Sequence, residues 1–555
     1  MTRYCVAVAL SSVLVLVGCK PASEEAVEKP DAALDKREAA APAPTETAIP
    51  EDLDLVILNG RVMDPESKLD AQRNVGVKDG KIVAVTEQAI KGSETIDAKG
   101  HVVAPGFIDT HHHNVLTPFG QKLALRDGIT TPLELEGGVM PVGEWYDSMG
   151  GKSQTNYGAT AGVMGARETV LNPKFKSIAG ASMNDLDQPK ITGATMNWST
   201  KVATDAEIEK VLALVEQGVK EGARGVGLTT GYMVDGITSR ETYGVQAIAG
   251  KYGLLLGLHG RFSGQDQGAS GMLGTDEQLA AVLAGGGGLI VQHMTAQCLA
   301  LTPYCQEMID KAYAKGHQVI SEIYPYSYGA TIVGADYLHP DNYKNNMGHD
   351  YGDIVEIATM KPLTKERYEK LVKTAPFTNV TFKNATEETV AEALKHPTSL
   401  IGSDAFPYAM KSDGSFVKDW DTPYDAVNGH PRGAGTHAVV LQMVREKNLM
   451  PLMLAISKMT YMPAKFMQDN GVPQMAHKGR LQVGADADIT VFDPDTVKQV
   501  ATPANGGLPS TGIPYVVVNG TVVVKDSKVL KGVYPGQAIR TSGADLPSQE
   551  RDDSP

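Results

Sequence analysis

The stretch Ala104-Pro105-Gly106-Phe107-Ile108-Asp109-Thr110-His111-His112-His113 starts apolar and ends in three imidazoles. Side chains of an extended chain alternate between two faces, so His111 and His113 fall on one face and His112 on the other. The candidate pair is therefore His-x-His, and His112 is set aside. Seven further short β-rich runs follow, at 128–136, 158–165, 225–230, 254–259, 289–293, 318–324 and 399–404, with helical stretches between them. Eight parallel strands with crossovers predict an α/β fold, a (β/α)8 TIM barrel over 104–474, within the length range of that architecture. An open doubly wound sheet is the other arrangement with the same texture. The reactive side chains separate the two, because a barrel collects them at the carboxyl ends of its strands. Run five ends at His259, run six at His293 and run eight at Asp404.

Neutral imidazoles and a carboxylate converging on one mouth suit a divalent metal, zinc above all, as one or two ions. Such an ion lowers the pKa of water to about 7 and polarises a carbonyl, so hydrolysis is the chemistry expected. Asp404, within reach of that water, would act as general base and then as acid toward the leaving group. His101, His317, His339, His349, His396 and His477 lie in loops or helices without this pattern and read as structural; His437 stays undecided.

Outward from the barrel, both flanks have the texture of short strands and tight turns. Asn59-Gly60 and Asp79-Gly80 on one side are hairpin signals, and the run from Tyr515 to Val524 through Asn519-Gly520 repeats the pattern on the other. A lone hairpin is marginal in water, so 51–103 and 475–541 are expected to join into one small composite β-sandwich. The chain has 555 residues, 42% of them hydrophobic and 21% charged, enough for a large core. Its formal charge of −14 argues against a nucleic-acid partner, which needs clustered Lys and Arg; the partner expected is a small-molecule substrate.

At the start, Arg3 and the apolar run 6–17 read as an export signal too short to span a bilayer, and Leu16-Val17-Gly18-Cys19 resembles the bacterial lipoprotein box. Residues 1–19 are then a lipoprotein signal peptide, with membrane attachment only through lipid on Cys19. Lys20 favours the outer membrane, on the periplasmic side. Residues 20–50, rich in Ala, Pro, Glu and Lys, read as a disordered tether, and 542–555 as a disordered tail. Cys298 and Cys305 either close a small loop in an oxidising compartment or remain two buried thiols.

Pro105-Gly106-Phe107-Ile108-Asp109 followed by His-x-His, with Gly128-Ile129-Thr130-Thr131, Tyr324-Pro325-Tyr326, Gly402-Ser403-Asp404 and His430-Pro431-Arg432, resembles the amidohydrolase superfamily and its N-acyl-D-amino-acid deacylase (D-aminoacylase) branch. The resemblance implies that His111 and His113 with Asp404 hold one metal, and His259 with His293 a second. The branch bridges its metals with a cysteine at the end of strand two. This chain offers Glu134 and Glu136 there, Glu136 nearer the expected position and Glu134 on the same face. Arg432 resembles the branch's carboxylate-binding arginine, whose planar fork suits a bidentate grip. Arg261, two residues beyond His259, and the hydroxyls of Tyr324 and Tyr326 are further substrate-binding candidates. Where the branch often has a lysine after the strand-six histidine, this chain reads His293-Met294-Thr295, one cation fewer. The activity implied is hydrolysis of the acyl amide of N-acyl-D-amino acids or related small carboxylated amides. The alternatives are a cyclic amide, lactone or dipeptide hydrolase, and a non-catalytic ligand-binding lipoprotein.

Gly225-Val226-Gly227-Leu228-Thr229-Thr230-Gly231 nearly matches a dinucleotide fingerprint, but its third glycine is one residue late, so close packing at a barrel strand is the expectation. The stretches 138–151 and 329–395 are candidates for lids over the mouth.

Overall fold

The computed structural model describes residues 49–177 and 189–540. The signal segment, nearly all of the tether and the C-terminal tail lie outside these.

All eight runs form strands: β1 (Phe107–Asp109), β2 (Ile129–Val139), β3 (Gly158–Gly162), β4 (Gly225–Thr229), β5 (Leu255–His259), β6 (Gly288–Val291), β7 (Val319–Ile323) and β8 (Ser399–Ile401). They hydrogen-bond as one parallel sheet in the order of the chain. Every residue in them is buried, which explains why most of them read as dense apolar runs; among the exceptions, Glu134 and Glu136 in β2 and Glu322 in β7 are buried acids at the mouth. Beyond the last paired residues, His112 bridges Ala405 in parallel, and the Asn114 amide donates to the Ala405 carbonyl (3.2 Å). This contact brings β8 back to β1, and the architecture is a (β/α)8 barrel.

The crossover helices carry their own start signals. Asp205–Lys220 and Ser239–Lys251 each open on a threonine, Thr204 and Thr238, whose side chain accepts from the third helical amide while the glutamate there reaches back. Such caps contribute about 1 kcal/mol each.

The flanks meet in a nine-stranded sheet. Ile489–Phe492 pairs antiparallel with Val102–Pro105, residue for residue from Ile489 opposite Pro105 to Phe492 opposite Val102. Leu55, Ile57, Val75 and Ile96 from the first flank and Ile489, Val491 and Val517 from the second share one core. At Asp79-Gly80 both residues have positive φ (49° and 74°) and Lys78 pairs with Lys81, a hairpin as expected. Asn59-Gly60 differs: Leu53–Asp64 continues through it as one strand with a bulge between Ile57 and Gly60. The physical reason is that the Asn59 side chain donates to Asp97, and a Cβ at Gly60 would lie 2.3 Å from Val103 Cγ2, so a neighbouring strand occupies the space a turn would need.

Between β7 and β8 the chain inserts a second small sheet, Tyr328–Ile332, Asn379–Lys383, Ile354–Glu356 and Lys361–Pro362, over the carboxyl ends of the barrel. Cys298 and Cys305 are bonded to one another, resolving the alternative left open by their spacing.

Candidate metal centre

The imidazoles arrive from three strand ends. His111 and His113 follow β1, His259 is the last residue of β5, and His293 lies two residues past β6. His293 and Asp404 both adopt positive φ (31° and 51°), a conformation that costs non-glycine residues of order 1 kcal/mol and recurs at functional sites. Both stand just beyond a strand's final pairing, where the chain must turn sharply to aim a side chain into the mouth.

Glu136 stands at the middle. Its Oε1 lies 3.1 Å from His259 Nδ1 and 2.8 Å from His293 Nε2. Its Oε2 lies 3.5 Å from the Nε2 atoms of both His111 and His113. One carboxylate thus turns one oxygen to each histidine pair. Glu134 faces elsewhere: its Oε2 accepts from His113 Nδ1 (2.7 Å), and its Oε1 accepts the amides of Gly137 and Gly138 (2.9 and 3.2 Å). It orients His113 from behind. Of the two glutamates that the sequence left in competition, the inward one is Glu136.

Glu322, which the sequence reading missed, plays the same part for the other side. Its Oε2 accepts from His111 Nδ1 and from the His293 backbone amide, both at 2.9 Å. A lone acid within the apolar run 318–324 was the available signal. With Nδ1 of both His111 and His113 donating to carboxylates, their Nε2 atoms carry lone pairs, yet these lie only 3.2 Å apart. Where both rings are neutral the two facing lone pairs need a positive charge, proton or metal, between or beside them, and imidazoles grouped with carboxylates are a donor set that fits a divalent metal.

Asp404 completes the ring of donors. Its Oδ1 lies 3.4 Å from both His111 Nε2 and His113 Nε2, and its Oδ2 receives Arg432 Nη1 at 2.8 Å. Three overlapping groups have ligand atoms within 4.8 Å of one another: His111, His293 and Asp404; His111, His113 and Glu136; Glu136, His259 and His293. These accommodate one or two divalent ions.

Charge balance points the same way. Burial alone would lower His111 and His113, but Asp404 and Glu136 lift His111 well above its ordinary value, and Glu134 with Asp404 lifts His113 to about 10. Burial would raise Asp404 and Glu136; Arg432 and His111 hold Asp404 below the usual carboxylate range, and His111 and His259 do so for Glu136. The centre is a negative cavity seeking positive charge.

The substrate-binding candidates separate. Arg432 and Tyr324 are at the centre: Arg432 is buried against Asp404 and its guanidinium lies 5.1 Å over the Tyr324 ring, and Tyr324 Oη accepts from Asn384 (2.6 Å). Tyr326 faces away, its hydroxyl against Gln499 and its ring against His430. Arg261 is a correction. Its Nε and Nη2 are held by Glu277 (2.8 and 3.0 Å) and its Nη1 by the carbonyls of Val234 and Ile237. The two-residue spacing from His259 was a fair guide to direction only while β5 lasted, and the strand ends at His259. His437 is structural: Nδ1 meets Asp127 at 3.0 Å and the ring stacks on Phe107.

Tyr232 and Tyr337 were not singled out by the sequence reading. Their rings lie 4.8 and 5.1 Å from that of His259. Tyr337 sits in the insert, whose sequence has no periodicity that points to the mouth. The near-fingerprint at 225–231 is packing: a Cβ at Gly231 would lie 2.3 Å from the His259 ring, and one at Gly227 2.4 Å from the Glu136 carbonyl oxygen.

A barrel of this topology with imidazoles and carboxylates at its mouth defines a class of metal-dependent hydrolases. Residues 94–524 match the Amidohydrolase family, and the chain belongs to it. It is 28% identical over 530 residues to the N-acyl-D-glutamate deacylase of Alcaligenes xylosoxydans xylosoxydans, covering 88% of this chain and 97% of that protein. It is 24% identical over 535 residues to the D-aminoacylase of the same organism, covering 88% and 98%. In fold it resembles the crystal structure of N-acyl-D-glutamate deacylase from Bordetella bronchiseptica complexed with zinc and a phosphonate inhibitor, with a TM-score of 0.69, 24% identity, and coverage of 88% and 100%.

Proposed function

We propose that the chain hydrolyses the acyl amide bond of N-acyl-D-amino acids or related small carboxylated amides. The observation that carries this reading is the Glu136 carboxylate, one oxygen toward His111 and His113 and the other toward His259 and His293. These side chains and Asp404 would hold one or two divalent ions, with zinc matching the mixture of imidazole and carboxylate. Divalent ions there supply Lewis-acid polarisation of a carbonyl and a nucleophile from water at neutral pH. Asp404, kept ionised by Arg432, is the base that takes the proton of the attacking water and returns it to the leaving amine. Glu134 and Glu322 fix the ring orientations of His113 and His111. Arg432, on Asp404 through Nη1 and on the Ala330 carbonyl through Nη2, would share its guanidinium with the substrate carboxylate. The relatives named for deacylation of D-amino acids support the choice of bond.

The test is a screen of the purified zinc-loaded chain on N-acetyl-D-amino acids, their L-forms, dipeptides and cyclic amides. Turnover confined to the D-series is expected; equal rates on both enantiomers, or none on the D-series, defeat the proposal. Asp404→Asn should reduce kcat by about 100-fold or more while bound zinc, counted by elemental analysis, falls far less.

We propose further that the protein is exported and lipid-anchored through Cys19 in the periplasm, at the outer membrane. The lipoprotein-like motif at 16–19 supports this. Cys19→Ser should move the protein from the membrane fraction to the soluble one; persistence in the membrane fraction would refute the anchor.

A further inference from the structure

The cavity beside the metal centre has a wall with a definite chemical character. Tyr232 and Tyr337 flank the His259 ring, and the Phe382 ring follows 5.5 Å from that of Tyr337. Met347, Ala296 and Ala330 fill the remainder. The two tyrosine hydroxyls are spent on each other and on Thr331: Tyr337 donates to Tyr232 Oη (3.4 Å), which lies 3.0 Å from Thr331 Oγ1. Ser263, Gln297 and the Tyr324 hydroxyl offer polar atoms, all neutral.

Among the described residues, neither a lysine nor an arginine lines this cavity. The nearest guanidinium at the centre is Arg432, with Nη1 on Asp404 (2.8 Å) and Nη2 on the Ala330 carbonyl (3.1 Å). The neighbouring cavity, which shares Tyr337, is lined by Asp235, Asp266, Asp336 and Asp341. Its one arginine, Arg261, is compensated by Glu277 (2.8 Å), and His339 Nδ1 lies 3.5 Å from Asp341.

We infer that the substrate's amino-acid side chain is neutral and apolar, seated against Tyr337, Phe382 and Met347, and that acidic amino-acid derivatives are excluded. This rests on the deacylase reading proposed above and adds the side-chain class. An N-acyl amino acid brings one carboxylate, and Arg432, the guanidinium at the centre, is already shared with Asp404 and the Ala330 carbonyl, so none of its charge is left over for another. An acidic side chain brings a second, which would be desolvated against aromatic rings with no lysine or arginine among the described lining residues to meet it and four aspartates next door. Similarity to a glutamate deacylase over most of the chain therefore does not carry its side-chain preference with it.

The experiment compares kcat/KM of the zinc-loaded full chain for the N-acetyl derivatives of D-leucine, D-methionine and D-phenylalanine with those of D-glutamate and D-aspartate. The neutral series is expected to lead by about 100-fold, the scale on which a site left with unpaired polar groups rejects a ligand. A lead of about tenfold or more upholds the inference, and a smaller one, or faster cleavage of the acidic series, overturns it while leaving the deacylase reading intact. Cleavage of neither series removes that reading and the inference with it. As a second arm, Met347→Lys places a cation in the wall. If the variant keeps the parent Tm, its rate on N-acetyl-D-glutamate relative to N-acetyl-D-leucine should rise by about tenfold; an unmoved ratio overturns the charge argument. If it does not fold, the first comparison decides alone.

Discussion

The division of labour between Glu136 and Glu134 shows how little separates a residue that faces an ion from one that faces its ligand. They are two positions apart on β2, share a face, and are both fully buried. Sequence periodicity places both at the mouth and stops there. What distinguishes them is the pair of amides at Gly137 and Gly138 that captures Glu134, together with the register of β1 that brings His113 Nδ1 against it. Neither is visible without coordinates. The histidines were legible because strand alternation alone sorts His111 and His113 from His112, whose ring is buried on the other side with both nitrogens unpartnered among the described residues. The two glutamates should therefore fail differently. Glu136→Gln removes the charge shared by both pairs and is expected to abolish tight binding at one of two zinc positions and lower kcat by more than about 100-fold. Glu134→Gln keeps a hydrogen-bond acceptor for His113 and should weaken zinc affinity by roughly 10- to 100-fold, the usual effect of a partner behind a ligand. Zinc titration followed by calorimetry separates them; equal losses in the two variants would contradict the assignment of Glu136 as the inward carboxylate.

At the level of elements, the strands were readable because parallel strands buried on both faces leave dense apolar runs, and each run of the sequence corresponds to one strand. The features that escaped reading are those set by a neighbouring element. Asn59-Gly60 has hairpin chemistry but lies where another strand crosses, so it becomes a bulge. Arg261 has the spacing of a mouth residue but follows the last residue of β5, and the chain then turns it toward helix Gly271–Gly285, where Glu277 pairs with it. Such an arginine ties the loop after β5 to that helix. Arg261→Ala should cost about 3 kcal/mol of stability, since it strands a partly buried carboxylate and two carbonyls, and leave KM within about threefold at temperatures where the variant is folded. A large rise in KM with little loss of Tm would return Arg261 to the substrate site.

Over the whole molecule, the flanking sheet and the barrel are bound by polar as well as apolar contacts: Lys478 reaches Asp486 (2.9 Å) and Asp488 (2.7 Å), and Asn156 at the start of β3 donates to the same Asp488 (2.9 Å). A second concentration of buried charge lies at the barrel mouth, where Glu134, Glu136, Glu322 and Asp404 are all buried and Asp404 meets Arg432 (2.8 Å). Divalent ions that balance it stabilise the native state by mass action, about 4 kcal/mol when free ion exceeds Kd a thousandfold. Chelation should accordingly lower Tm by several degrees. The size of that drop depends on pH in a direction that can be worked out. In the chelated protein, burial disfavours the His113 cation, but Glu134 and Asp404 outweigh it and raise the group to about 10, from an ordinary value of about 6.5. A folded-state pKa above the unfolded one contributes stability that is complete below about pH 6.5 and is lost as pH climbs through about 10. Bound ions meanwhile compete better with protons as pH rises, which acts in the same sense. The gap in Tm between zinc-loaded and chelated protein should therefore widen steadily from pH 6.5 toward pH 10. Differential scanning calorimetry across that range checks it, and a gap that stays flat or narrows would mean that the proton on His113 does not stand in for the charge of the ion.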